Sequence, residues 1–249
     1  KRQFGKHHIN AVVNYYASDM IPDANEDASK IAYHYQQISG RASYAYQEKY
    51  FAELGWGYSG SDAYAPGNRW KLYPAASLSW VLSEEDFLKD NPVINYAKLR
   101  IAAGKTGNDQ TLQGRYLYQQ YYRFLPGSVT GNNSLSFNGG LGLGRLATPD
   151  ITAEQSMKYE LGLDMRLLKN LDFQATWFSD RRSGIITRNN LIAGYLGYTG
   201  ADMLPLQNIG KVNNEGIELG LSYQEQIGAL QLNLGMMATY AKNMIVYQA

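Results

Sequence analysis

Cysteine is absent from the 249 residues, which excludes a disulfide framework and a thiolate metal site. Apolar runs are short, and none reaches the roughly 18 residues that a membrane-crossing helix needs. Histidine is scarce, with three in the chain. His7 and His8 are adjacent, so in a strand they point to opposite faces and cannot chelate one ion together. No spacing around His34 suggests an activated nucleophile. No catalytic residue, metal ligand or cofactor is therefore expected, and the chain is not read as an enzyme. An excess of one charge is also lacking: 23 Lys+Arg against 22 Asp+Glu leave a net charge of +1, which gives no basis for binding nucleic acid. With 7 prolines, no Pro/Ser-rich linker divides the chain. The opening nine residues carry a basic flank but no apolar export-signal segment, so any such signal is expected upstream. Strand-like sequence at both ends makes a portion of a longer polypeptide the expectation.

Tyrosine, by contrast, is abundant, with 21 residues, and favours strands and membrane-interface belts. Hydrophobic content is ordinary at 45%. The mean hydropathy of −0.40 says nothing against a barrel, whose inward residues dilute the apolar ones. About nine stretches alternate apolar and polar residues with a period of two. They run near 8–17, 37–47, 50–59, 72–82, 97–104, 157–166, 171–177, 217–224 and 230–239. The gaps between them are by turns long and short. Tight turns are expected at Glu48-Lys49, Lys169-Asn170 and Gly228, and long polar loops near 18–30, 60–69, 105–153 and 181–208.

Short turns on one side and long loops on the other are the construction of a transmembrane β-barrel. Charges keep to one face through the strand centres, as hydrocarbon on the other face demands, since Arg or Lys at mid-bilayer costs ~2–4 kcal/mol. Tyr46, Tyr50, Trp80 and Tyr96 fall where strands meet turns, as an interfacial girdle would. One stretch breaks the pattern: Ser83-Glu84-Glu85-Asp86 resembles a helix start and reads as one short helical turn, stopped by Pro92. The expected fold is all-β, an antiparallel up-and-down transmembrane β-barrel present as a partial wall of about nine strands, with sequential neighbours paired in one curved sheet. The alternative from the pattern alone is a soluble β-sandwich.

Several short motifs fail on spacing. Gly104-Lys105-Thr106 lacks the earlier glycine of a phosphate loop, since Leu99 stands there. Gly140-Leu141-Gly142-Leu143-Gly144 follows no βαβ unit and reads as a loop. Asp23-Ala24-Asn25-Glu26-Asp27 opens like a calcium loop, but Ala28 and His34 occupy the positions of the required Gly and Glu. Tyr116, Tyr118, Tyr121 and Tyr122 lie in the longest loop and are candidate substrate contacts through ring stacking; the simpler reading is that they pack the loop. Lys98, Arg100, Lys158, Glu160, Asp164 and Arg166 fall on the polar face as candidates to face the lumen or a plug within it.

Four stretches resemble the SusC/RagA class of TonB-dependent outer-membrane transporters. They are Ser39-Gly40-Arg41-Ala42-Ser43-Tyr44-Ala45-Tyr46-Gln47-Glu48-Lys49-Tyr50; Tyr58 to Trp70 followed by Tyr73-Pro74-Ala75-Ala76-Ser77-Leu78-Ser79-Trp80; Leu99-Arg100-Ile101-Ala102-Ala103-Gly104-Lys105-Thr106-Gly107-Asn108; and Asn208-Ile209-Gly210-Lys211-Val212-Asn213-Asn214-Glu215-Gly216-Ile217-Glu218. The resemblance implies barrel wall and outer loops of an importer of about 22 strands. Residues 1–249 would then be barrel without a plug domain, a TonB-contact segment or a closing strand. The resemblance also implies residence in the outer membrane against its lipid, a SusD-like surface lipoprotein, the TonB complex acting through the missing plug, and a glycan or peptide fragment as cargo. The rival function is a soluble or cell-surface glycan-binding or adhesin module.

Overall fold

The computed structural model describes residues 2–21, 32–109, 116–130, 136–192 and 203–248. Ten strands form a single antiparallel sheet. In chain order they are β1 (Arg2–Phe4), β2 (His7–Met20), β3 (Tyr33–Tyr46), β4 (Tyr50–Ser61), β5 (Trp70–Val81), β6 (Ile94–Asn108), β9 (Glu154–Leu167), β10 (Leu171–Arg188), β11 (Leu206–Ile227) and β12 (Leu230–Tyr247). Each pairs with the next, and β6 meets β9 directly. Between them, β7 (Tyr122–Thr130) and β8 (Ser136–Leu143) form a ribbon of their own.

The register carries the period-two pattern across the whole sheet. Ile9, Tyr44, Ala52, Leu78, Ile101, Leu161, Trp177, Ile217 and Tyr240 are partners in turn along one row, without a charge. This face is exposed: Leu54 is 63% accessible and Leu78 55%. No second sheet of the described residues covers it. A sandwich would have buried it, so that expectation fails. The opposite row runs Asn10, Ser43, Glu53, Ser77, Ala102 and Glu160.

Stacked aromatic rings bound the apolar face at both heights. Tyr46, Tyr50 and Trp80 stack in sequence at the turn end, with centroids 6.5 and 6.3 Å apart. At the loop end Tyr58 stacks on Trp70 at 5.0 Å, and Trp70 lies over Gly60, where a Cβ would sit 2.6 Å from the ring. From Trp70 to Trp80, ten residue steps of about 3.3 Å, tilted by about 40°, span about 25 Å, the height of a barrel's apolar band. On the same face, charges reappear above this band, where Glu215 pairs across the ladder with Lys242 and Arg181 lies over Tyr159 at 5.8 Å.

Several expectations are corrected. Strands are longer than their alternation suggested: β6 continues to Asn108, β10 to Arg188, and β11 begins at Leu206. The reason is that ladder pairing continues above the apolar band, where both faces are polar and the period-two signal vanishes. Gly140 to Leu143 lies in β8 and not in a loop, and Lys105 sits inside β6. The expected short helical turn is present as a 3₁₀ turn at Leu82–Glu84, but without the serine cap. Tyr96 is not in the girdle: it stands two residues before Lys98 in regular register, opposite Arg166, so alternation places it on the polar face. The acid-rich segment at 23–27 lies outside the described residues.

Candidate functional site

The polar face carries an ionic cluster centred on β6. Arg100 Nε donates to Asp164 Oδ2 at 3.1 Å and Nη2 donates to Thr176 Oγ1 at 2.8 Å, while Nη1 donates to Glu160. Its guanidinium lies over Gly162, where a Cβ would fall 2.6 Å from it. One side chain thus ties β6, β9 and β10 at the pairing that the long 109–153 connection leaves without a short turn. Lys98 lies over the Phe51 ring at 5.6 Å. Arg166 bonds Asp172 at 2.7 Å on the more exposed end of β9. Lys158 is exposed and lines a shallow trough of about 490 Å³ whose floor is Gly55, Ala75, Ser77, Ala102 and Gly104. The six charged positions therefore share one face. Arg100, Glu160 and Asp164 meet; Lys98, Lys158 and Arg166 stand apart from them.

The chain's one apolar cluster of buried residues, among those described, lies at the loop end. Ala63, Tyr64, Leu117, Ile151, Ala153, Ile186 and Leu206 form it, with Tyr33 and Tyr118 packed against it. Asn208 braces this assembly: Nδ2 donates to Thr152 O at 2.8 Å and Gly184 O at 2.7 Å, and Oδ1 accepts Thr152 N at 2.8 Å. Gly184 adopts φ +66° at a bulge in β10, a conformation that suits glycine.

The four loop tyrosines divide. Tyr116 and Tyr118 meet edge to face at 6.1 Å, and Tyr116 Oη donates to Asp62 Oδ2 at 3.4 Å. Tyr121 lies under the Arg145 guanidinium at 5.2 Å. Burial there lowers the Arg145 pKa, and Tyr121 opposes that shift. Tyr122 opens the β7–β8 ribbon and is 59% exposed. Tyr33, Tyr64, Tyr73 and Asp109, which come from β3, the loop after β4, β5 and the residue after β6, were not singled out from the sequence, where no local spacing links them.

Comparison with known proteins decides the family. The sequence profile described as "TonB dependent receptor-like, beta-barrel" matches residues 2–248. The chain belongs to this family. Among curated relatives, a TonB-dependent receptor of Formosa agariphila is 28% identical over 187 residues, covering 74% of this chain and 18% of that protein. The TonB-dependent receptor SusC of Bacteroides thetaiotaomicron is 25% identical over 189 residues, again 74% of this chain and 18% of the relative. The barrel chain thus spans under a fifth of the length of these relatives. The RagAB peptide importer in its "open-open" state superposes with a TM-score of 0.78 over 98% of this chain and 28% of that one, at 15% identity. The siderophore receptor PirA of Pseudomonas aeruginosa gives 0.61 over 96% of this chain and 40% of that one, at 15% identity. At such identities the structural likeness speaks for the fold alone.

Proposed function

We propose that residues 1–249 are barrel wall and outer loops of a TonB-dependent importer in the outer membrane, taking up oligomeric nutrients, glycan or peptide fragments. The observation that carries this is the exposed apolar face, free of charge within the band that stacked aromatic rings bound about 25 Å apart, the dimension of hydrocarbon. Lipid solvates that face. The turn end is periplasmic and the loop end extracellular, following the short-turn, long-loop asymmetry. Lys98, Arg100, Lys158, Glu160, Asp164 and Arg166 then face the lumen, where a plug from elsewhere in the polypeptide meets them and couples to TonB. The barrel performs no covalent chemistry. A SusD-like surface lipoprotein closes the loop end, as the two-component name RagAB and the SusC relative favour. Tyr116, Tyr118, Tyr121 and Tyr122 belong to that outer surface, and Tyr122 is the most accessible of the four to cargo.

The test is fractionation of the full-length protein from its native envelope. It should partition with outer-membrane protein, require detergent to stay monodisperse, and migrate faster on unheated gels, as folded barrels do. A species that remains monodisperse in plain buffer overturns the reading in favour of a soluble binding module.

A further inference from the structure

Around the height of the outer girdle, the start of β3, the loop-end part of β5, the residue after β6 and the loop after β4 bring two carboxylates, Asp62 and Asp109, among three phenols. Tyr33 Oη donates to Asp109 Oδ2 at 2.9 Å and accepts a bond from Ser61 Oγ at 3.0 Å. Ser61 Oγ in turn accepts Ala63 N at 3.2 Å, which fixes the loop leading into Tyr64. Tyr64 is 4% exposed and its hydroxyl has no hydrogen-bond partner among the described residues. Tyr73 lies across Gly107, where a Cβ would fall 2.1 Å from its hydroxyl, so this phenol sits two residues from Asp109. Asp109 has no ion-pair partner among the described residues. The nearby cation, Arg69, is held instead on the backbone carbonyl of Tyr64 at 3.1 Å.

The electrostatics of the cluster point one way. Burial raises the Tyr64 pKa well above the ordinary phenol value, and Asp109, Tyr33, Tyr73 and Glu154 push it further in the same direction. An anionic ligand would be repelled here, and an uncharged hydroxyl would gain hydrogen bonds alone. An ammonium gains more: a charge-assisted bond to the carboxylate, a bond to the vacant lone pairs of the Tyr64 hydroxyl, and the negative faces of the surrounding rings.

We propose that Asp109, framed by Tyr33, Tyr64 and Tyr73, receives a protonated primary amine of the molecule taken up. This rests on the importer reading and narrows its cargo. Two sources supply such a group, the free amine of a peptide and that of an amino sugar.

Acetylation removes the charge in either source, so two matched pairs of probes separate them. The full-length receptor in detergent is titrated calorimetrically with hexaalanine and N-acetyl-hexaalanine, and with the hexamers of glucosamine and N-acetylglucosamine. The free amine should bind at least tenfold tighter than its acetylated counterpart in one pair, which identifies the source. Asp109→Asn should reduce that preference below about twofold while the acetylated probe binds as before. Tyr64→Phe, which removes the buried hydroxyl and keeps the ring, should lower it severalfold. Heat-modifiable migration verifies that both variants fold, and either one alone decides. Equal binding within both pairs, no binding in either pair, or a preference that survives the substitutions overturns the inference. A receptor that fractionates with the outer membrane and imports cargo, yet ignores acetylation, overturns the amine site and leaves the importer reading intact.

Discussion

Leu54→Arg places a guanidinium on the apolar face near its mid-height. Leu54 lies four residues along β4 from Tyr50, whose partner Trp80 marks the turn-end girdle. Four steps of about 3.3 Å at a tilt of about 40° set it about 10 Å above that girdle, close to the centre of a band about 25 Å high. A cation at that depth costs about 2–4 kcal/mol, against about 0–1 near the interfaces. Leu54 is 63% exposed, so little protein surrounds the new side chain and the loss comes from hydrocarbon. Ser43→Arg is the control: Ser43 lies opposite Glu53 on the polar face, and the substitution should change stability by about 0–1 kcal/mol. The assay is guanidinium unfolding of the full-length receptor folded into lipid vesicles, followed by tryptophan fluorescence. If Leu54→Arg is no more costly than Ser43→Arg, the exposed face is not solvated by lipid and the assignment of the two faces is wrong.

Three further outcomes are expected. Arg100→Ala strips the shared partner from Glu160, Asp164 and Thr176 and should cost about 1–3 kcal/mol, whereas Arg166→Ala at the more exposed pair should cost about 0–1; equal losses in the same unfolding assay would refute the clamp. Gly216→Ala would set a Cβ 2.4 Å from Tyr240 O and 2.7 Å from the Phe178 ring, destabilising by about 1–3 kcal/mol, while Gly235→Ala, with nothing within 4 Å, should be nearly neutral. Hydrogen bonds from Tyr50 and Trp80, aided by Lys49, hold the Glu85 carboxyl below its ordinary pKa. That stabilisation is complete above the unfolded-state carboxylate pKa and disappears as the pH falls through the lower folded value, so an acid titration of stability should flatten in Glu85→Gln.

The strands, their faces and the turn-end connections were legible because each is encoded locally. Alternation assigns Leu72, Ala76, Leu78 and Trp80 to one side of β5 whatever the partner strand. Even so, the three-residue turns carry non-glycine residues at positive φ, Gln47 and Glu48 in one and Leu168 and Lys169 in the other, so their positions came from the flanking pattern and not from turn chemistry. The upper part of β10 was read as loop, and β11 was begun only near 217, because Arg181, Asn213 and Asn214 continue a ladder with no apolar side to betray it. The candidate amine site was not legible at all. Asp109 and Tyr33 are 76 positions apart and bond only because β6 and β3 rise to the same height at the mouth.

The sequence by itself determined that this chain makes strands with one oily and one polar side, since that information repeats every second residue and needs no distant partner. Tertiary structure alone decided how far those strands run, that β7 and β8 leave the sheet, and what gathers around Asp109. Each of those depends on register between segments far apart in the chain, and register is a property of the assembled ladder.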